Sequence, residues 1–281
     1  MTPDVRVLFD RSRADYRDRR SPRPIRVYQW EAHRPRSGPT PLVLLSHGNG
    51  GSATSMDWLA QPLTAAGFRV VAVDHHGNNA VDRYLPEGFT FGWDRPRDLS
   101  VVLDDLAAVE PLGPVGVAGF SFGGFTALAL AGGRVDTDAV AAVLTGQVDP
   151  PDIPEFPGVL DVLRSQMSSS ALGAELEKAG RDLTDVRVRA AFAIAPGWAH
   201  LLTPRSLREV RVPVEVHWGG ADRIAPLAEM RPYLDLIPHA VGHCIGPEVR
   251  HEDFIPALVS DPAVRDRVGA AAADFFDRNL A

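Results

Sequence analysis

Three residue types able to perform acyl-transfer chemistry occur in this chain in an order that carries meaning. Ser121 lies within Gly119-Phe120-Ser121-Phe122-Gly123, Asp222 follows Gly219-Gly220-Ala221, and His251 opens His251-Glu252-Asp253-Phe254. A serine hydroxyl is a weak nucleophile at neutral pH. It needs a base to take its proton and a third group to orient that base. Ser121 is the candidate nucleophile, His251 the candidate general base and then general acid, and Asp222 the candidate partner of the His251 Nδ1–H. Each has a rival reading. Ser121 is also placed to cap a helix, and Asp222 to serve as a turn residue. His243 competes with His251 for the role of base, but it lies inside the apolar run Val241 to Ile245, where a packed histidine is the commoner explanation. His200, His217 and His239 are read as structural.

The elements around these residues follow from hydrophobic pattern. Val115 to Ala118 is a short apolar run after Pro114, expected to be a buried parallel strand, and Phe125 to Ala131 reads as a helix. A strand turning directly into a helix forces the middle residue into strained dihedrals, which the flanking glycines permit. The serine would then sit at the strand end, where the first N–H groups of the helix meet developing negative charge. A second glycine-rich loop, Ser46-His47-Gly48-Asn49-Gly50-Gly51, follows the buried run Leu42 to Leu45. It lacks the spacing of a nucleotide-binding loop. It reads instead as the other half of an oxyanion hole, Asn49 acting with Phe122. The Asn49 backbone N–H and its side chain are both available as donors.

Further runs at Phe68–Val73, Val186–Ile194, Val212–Trp218 and His239–Ile245 alternate with helical segments, among them a terminal helix from Val264 to Asn279. The expected fold class is α/β, a doubly wound, mostly parallel sheet. Val5–Phe9 and Ile25–Trp30 read as half-exposed edge strands, and the charge-rich stretch from Arg11 to Arg23 as a solvated loop. The α/β core is expected over residues 1–133 and 186–281. Residues 134–185, irregular around Pro150, Pro151, Pro154 and Pro157 and helical from Val159 to Lys178, form an insertion. It reads either as a helical lid over the site or as a surface excursion. Gly48, Gly50, His76, Trp93 and Trp198 are expected to border the substrate.

Composition narrows the partners. A net charge of −7 argues against nucleic acid. Cys244 is the single cysteine, so an internal disulfide and a cysteine-based zinc site are excluded, and a buried apolar role is expected for it. The adjacent His75 and His76 point in different directions in an extended chain and are not expected to hold a metal. The charged N-terminal stretch has no apolar signal-like run, and no segment is long and apolar enough for a bilayer. A soluble cytoplasmic protein is the expectation. Its oligomeric state is left open.

The ordered set Ser46-His47-Gly48-Asn49-Gly50-Gly51, Asp74-His75-His76-Gly77-Asn78, Trp93-Asp94-Arg95-Pro96, Gly119-Phe120-Ser121-Phe122-Gly123-Gly124, Gly220-Ala221-Asp222 and His251-Glu252-Asp253-Phe254 resembles the α/β-hydrolase superfamily. Within it the chain is most similar to the dienelactone-hydrolase-like branch, and also resembles platelet-activating-factor acetylhydrolases and polyester-degrading cutinases. The resemblance implies a cofactor-free carboxylic ester hydrolase with Ser121, Asp222 and His251 as triad and Asn49 and Phe122 as oxyanion donors. True dienelactone hydrolases use a cysteine where this chain has Ser121, so dienelactone itself is not the expected substrate. An ester or lactone of modest size is. The alternatives are a thioesterase or amidase with the same triad, or a non-catalytic ligand-binding protein on the same fold.

Overall fold

The computed structural model describes residues 2–34, 38–149 and 153–280. Pro150 and Pro151, two of the expected helix breakers, lie outside the described residues.

The strands are β1 (Asp4–Ala14), β2 (Pro22–Trp30), β3 (Leu42–Ser46), β4 (Arg69–Asp74), β5 (Val115–Phe120), β6 (Val188–Ile194), β7 (Val214–Gly219) and β8 (Ala240–Gly246). They form one eight-stranded sheet in the order β1-β2-β4-β3-β5-β6-β7-β8. Only the β1/β2 and β2/β4 pairs are antiparallel. Every residue of β3 and of β5 is buried, as continuous apolar runs require when both faces of a sheet are covered. The period of two divides them cleanly. Leu42 and Leu44 pack into one apolar layer, and Val43 and Leu45 into the other.

The helices are α1 (Asp57–Ala65), α2 (Pro86–Thr90), α3 (Asp94–Val109), α4 (Phe122–Leu130), α5 (Thr137–Thr145), α6 (Val159–Gln166), α7 (Ser169–Ala179), α8 (Pro204–Glu209), α9 (Leu227–Leu236) and α10 (Ala263–Leu280). Helices α1 and α10 supply Leu59, Leu63, Phe275 and Phe276 to one layer, and α3, α4 and α9 supply Leu103, Leu128 and Met230 to the other. All nine residues of α4 are buried, which explains why it is apolar on every side.

The chain winds outward from β3 to β4 and then crosses back to place β5 on the other side of β3. The connections therefore diverge at β3 and β5, and such a switch point opens a crevice at the strand C-termini. The parallel register pairs Ser46 with Gly119 there. The glycine-rich loop after β3 and the turn after β5 are thus neighbours because of topology.

Four expectations are corrected. The Ile25–Trp30 strand is not at an edge: β2 is paired with β1 on one side and β4 on the other. The Arg11–Arg23 stretch is not a solvated loop throughout: β1 runs on to Ala14, and the side chains of Arg13 and Arg23 are buried in ion pairs. The 159–178 segment is two helices, because Met167 and Ser168 are extended and the Ser168 side chain accepts the Ala171 N–H to start α7. Cys244 is exposed, since β8 is the sheet's outer edge. The ambiguous stretch around Asp138–Leu144 is helix, started by Asp136 accepting the N–H groups of Asp138 and Ala139.

Candidate active site

Ser121 sits between β5 and α4 with φ 54° and ψ −118°, a region that costs a non-glycine residue roughly 1–3 kcal/mol. The turn that imposes this leaves no room beside it. A Cβ on Gly119 would lie 2.0 Å from the Gly123 carbonyl oxygen, and one on Gly123 would lie 1.9 Å from that of Ser46. The strained residue is held from both sides. Its N–H donates to the Ile194 carbonyl at 2.8 Å, and its carbonyl accepts from Gly124 at 2.8 Å and Phe125 at 3.3 Å. Gly48 packs over it, with the Ser121 Cβ 3.3 Å from where a Gly48 Cβ would be.

Asp222 and His251 are brought together. His251 Nδ1 lies 2.7 Å from Asp222 Oδ2, and Asp222 Oδ1 accepts the N–H groups of Ile224 at 2.9 Å and Ala225 at 2.7 Å. The loops that carry them are tied together by Gly220 N–H to the Gly246 carbonyl and Ala221 N–H to the Val249 carbonyl. The His251 ring is tilted against Phe120, centroids 4.8 Å apart, which sets it beside the residue preceding Ser121. Ser121 Oγ itself makes no hydrogen bond to His251 among the described residues. Such contacts are often long before substrate binds. His243 is elsewhere: it lies mid-strand in β8 in register with His217, and its side chain is 46% exposed beside Glu215.

The N–H groups of Asn49 and Phe122 have no acceptor among the described residues. The Asn49 side chain is engaged with the neighbouring loop, its Oδ1 accepting from Asn78 Nδ2 at 3.0 Å. Gly50 is pinned from two directions, its N–H donating to Asn78 Oδ1 and its carbonyl accepting from the Tyr84 hydroxyl, both at 2.8 Å.

Beneath this loop runs a buried ionic network that sequence reasoning missed. Asp98 of α3 receives Arg23 at both carboxylate oxygens, 2.8 and 3.1 Å, and Arg13 at 2.7 Å. It also meets His75 Nδ1 at 3.1 Å, and His75 Nε2 contacts Ser46 Oγ at 2.9 Å. Burial alone would raise Asp98, but the Arg23 and Arg13 guanidiniums overcome it and hold the carboxyl well below its usual range. Burial, reinforced by the positive charge of Arg95, takes His75 down to about 3, and the same two causes hold His47 well below its ordinary value. Both rings are therefore neutral at pH 7. The signal was present in the alternating charges of Asp94-Arg95-Pro96-Arg97-Asp98, but their partners lie far away in sequence.

The structure sets His76 and Trp93 into this interior. His76 Nε2 lies 2.9 Å from Asp15 Oδ1 and its ring stacks on Tyr16, and Trp93 stacks on Phe91 with 1% exposure. Trp198, in contrast, lies against Phe122 with ring centroids 4.1 Å apart and borders an apolar cavity of about 50 Å³. The cavity's other walls include Phe89, Val140, Leu144 and Leu160, from α2, α5 and α6.

The comparisons with known proteins agree with this architecture. A cold-adapted esterase from an Arctic intertidal metagenomic library superposes with a TM-score of 0.58 at 17% identity, covering 99% of this chain and 94% of that one. A dienelactone hydrolase from Anabaena variabilis gives 0.57 at 17% identity, covering all of both chains. The esterase domain of a Rhodothermus marinus protein gives 0.55 at 13% identity, covering 99% and 100%. The search among curated proteins found no match. The family model described as the alpha/beta hydrolase family matches residues 42–268, which take in the glycine-rich loop, the serine turn and the Asp222–His251 pair. The chain belongs to the alpha/beta hydrolase family.

Proposed function

We propose that this protein is a serine hydrolase that cleaves a carboxylic ester or lactone of modest size through an acyl-enzyme. Ser121 Oγ attacks the carbonyl carbon while His251 Nε2 takes its proton. Asp222 holds the His251 Nδ1–H and stabilises the imidazolium. The carbonyl oxygen, now an anion, accepts the Asn49 and Phe122 N–H groups. Collapse of the tetrahedral intermediate expels the alkoxide, which takes the proton from His251. Water then repeats the sequence, with His251 as base, to release the acid and restore Ser121.

The observation that carries this reading is the 2.7 Å Asp222–His251 pair beside a serine held at positive φ. The apolar cavity beside Trp198, whose ring packs on Phe122, supports a short acyl chain, and the helices α5 and α6 that wall it support the reading of residues 134–185 as a lid.

The test is steady-state kinetics on matched ester, thioester and amide substrates of one short acyl group. Ester hydrolysis should dominate, and Ser121→Ala and His251→Ala should each lower kcat on the order of 10⁴-fold or more. Full activity in either variant would overturn the assignment. Preference for thioester or amide would replace the substrate class, and ligand binding without turnover would leave only a binding protein.

A further inference from the structure

A second cluster of chemically capable side chains stands on the outer half of the sheet, clear of Ser121. Glu215 and His217 are two residues apart on β7 and so face the same side. The parallel register sets His243 of β8 beside His217. One ligating atom from each of the three lies within 4.8 Å of the others. Glu215 Oε2 is 3.1 Å from His217 Nε2 and 3.8 Å from His243 Nε2, so one carboxylate oxygen faces both rings. The other oxygen, Oε1, accepts from Arg278 of α10 at 2.9 Å. A surface trough of about 380 Å³ opens over the group.

We propose that Glu215, His217 and His243 bind a divalent cation of the zinc class and thereby clamp the edge strand β8 to β7. Two imidazoles and one carboxylate suit zinc and its d-block neighbours, whereas magnesium and calcium favour oxygen-only shells. Ligand bonds of roughly 2.0–2.2 Å put the ligating atoms of a tetrahedral site about 3.3 Å apart. The Glu215–His217 pair already meets that spacing, and the exposed His243 reaches it by side-chain rotation. Water from the trough takes the fourth position. Arg278 fixes the carboxylate from outside, as outer partners of metal ligands do. His217 Nδ1 is buried with no hydrogen-bond partner among the described residues, so this ligand lacks its outer acceptor and the site binds less tightly than a fully buttressed one. The clamp matters because β8 is an edge strand, and the loops after β7 and β8 carry Asp222 and His251. The metal site does not rest on the catalytic reading of those two residues.

The experiment is a zinc titration of tag-free, chelator-stripped protein against a chromophoric competitor, with thermal melting and cobalt absorption spectra in parallel. Wild type should bind one ion per chain, melt higher with zinc, and give the intense visible bands of tetrahedral cobalt. Loss of an outer partner alone weakens a site about 10–100-fold. His243→Ala and Glu215→Gln should therefore each weaken zinc at least tenfold and abolish the cobalt bands. His243 is an exposed side chain, so its variant should fold and be scored directly. Folded wild type that binds no zinc, or His243→Ala that binds it unchanged, overturns the proposal. So does binding that survives His243→Ala but vanishes in His251→Ala, which would put the ion at the catalytic histidine.

Discussion

Burying a guanidinium costs free energy unless its N–H groups find partners; Arg95 finds them for Nε and Nη2, on both arms of the candidate oxyanion site, while Nη1 is buried without one among the described residues. Its Nη2 donates to the His47 carbonyl and, at 3.3 Å, to Ser46 Oγ at the end of β3. Its Nε donates to Thr126 Oγ1 of α4 at 3.1 Å, and the guanidinium carbon lies 4.4 Å from the Phe122 ring centroid. Burial takes Arg95 down to about 9, so it remains charged at neutral pH. One side chain thus fixes the loop carrying Asn49 relative to the helix carrying Phe122. Arg95→Met keeps the bulk and removes the ties. It should lower kcat between about tenfold and hundredfold with little change in KM, because misplaced oxyanion donors weaken transition-state binding. An unchanged kcat in a folded variant would remove Arg95 from the account. As candidates, Ser121, Asp222 and His251 were legible because motif and chain order name them. Arg95 was not, since its value depends on partners up to 49 positions away.

At the scale of elements, the fully apolar strands could be read with little ambiguity, because burial on both faces demands uninterrupted apolar runs. The helical insertion was harder. Its period carries through Met167, so 159–178 looked continuous, and only the Ser168 cap reveals the break. The Arg11–Arg23 segment misled for a different reason. Interleaved Arg and Asp mark a solvated loop unless opposite charges from another element meet them, and Asp94 and Asp98 of α3 do so. The insertion's contribution to specificity is open to a direct test. Leu160→Trp would fill the cavity beside Trp198 at an overpacking cost of about 1–3 kcal/mol. It should raise KM for longer acyl esters about tenfold while sparing acetyl esters, as pockets discriminate by added methylenes. Equal effects on short and long chains would mean that acyl groups bind elsewhere.

At the scale of the whole molecule, a buried network ties the β1–β3 half of the sheet to α3, from Arg13 and Arg23 on β1 and β2 through Asp98 to His75 and Ser46 beneath the site. Its titration gives stability a definite slope. An unfolded histidine takes up a proton near pH 6.5, whereas His75 in the fold resists protonation down to about 3. Between those values the unfolded state binds more protons, so stability present above pH 6.5 is lost as the pH falls. Lowering the pH from 7 to 5 should cost on the order of 2 kcal/mol through His75. The depressed Asp98 adds its own loss only below about pH 3.9. Urea denaturation at the two pH values measures this, and identical midpoints would contradict it.

Intact-mass measurement after exposure to a fluorophosphonate tests whether His251 and Asp222 activate Ser121. Wild type should gain one adduct, formed as Ser121 Oγ displaces fluoride from phosphorus, and Ser121→Ala should gain none. His251→Ala should react far more slowly than wild type. No adduct on folded wild-type protein, or an adduct that persists in Ser121→Ala, would contradict the account.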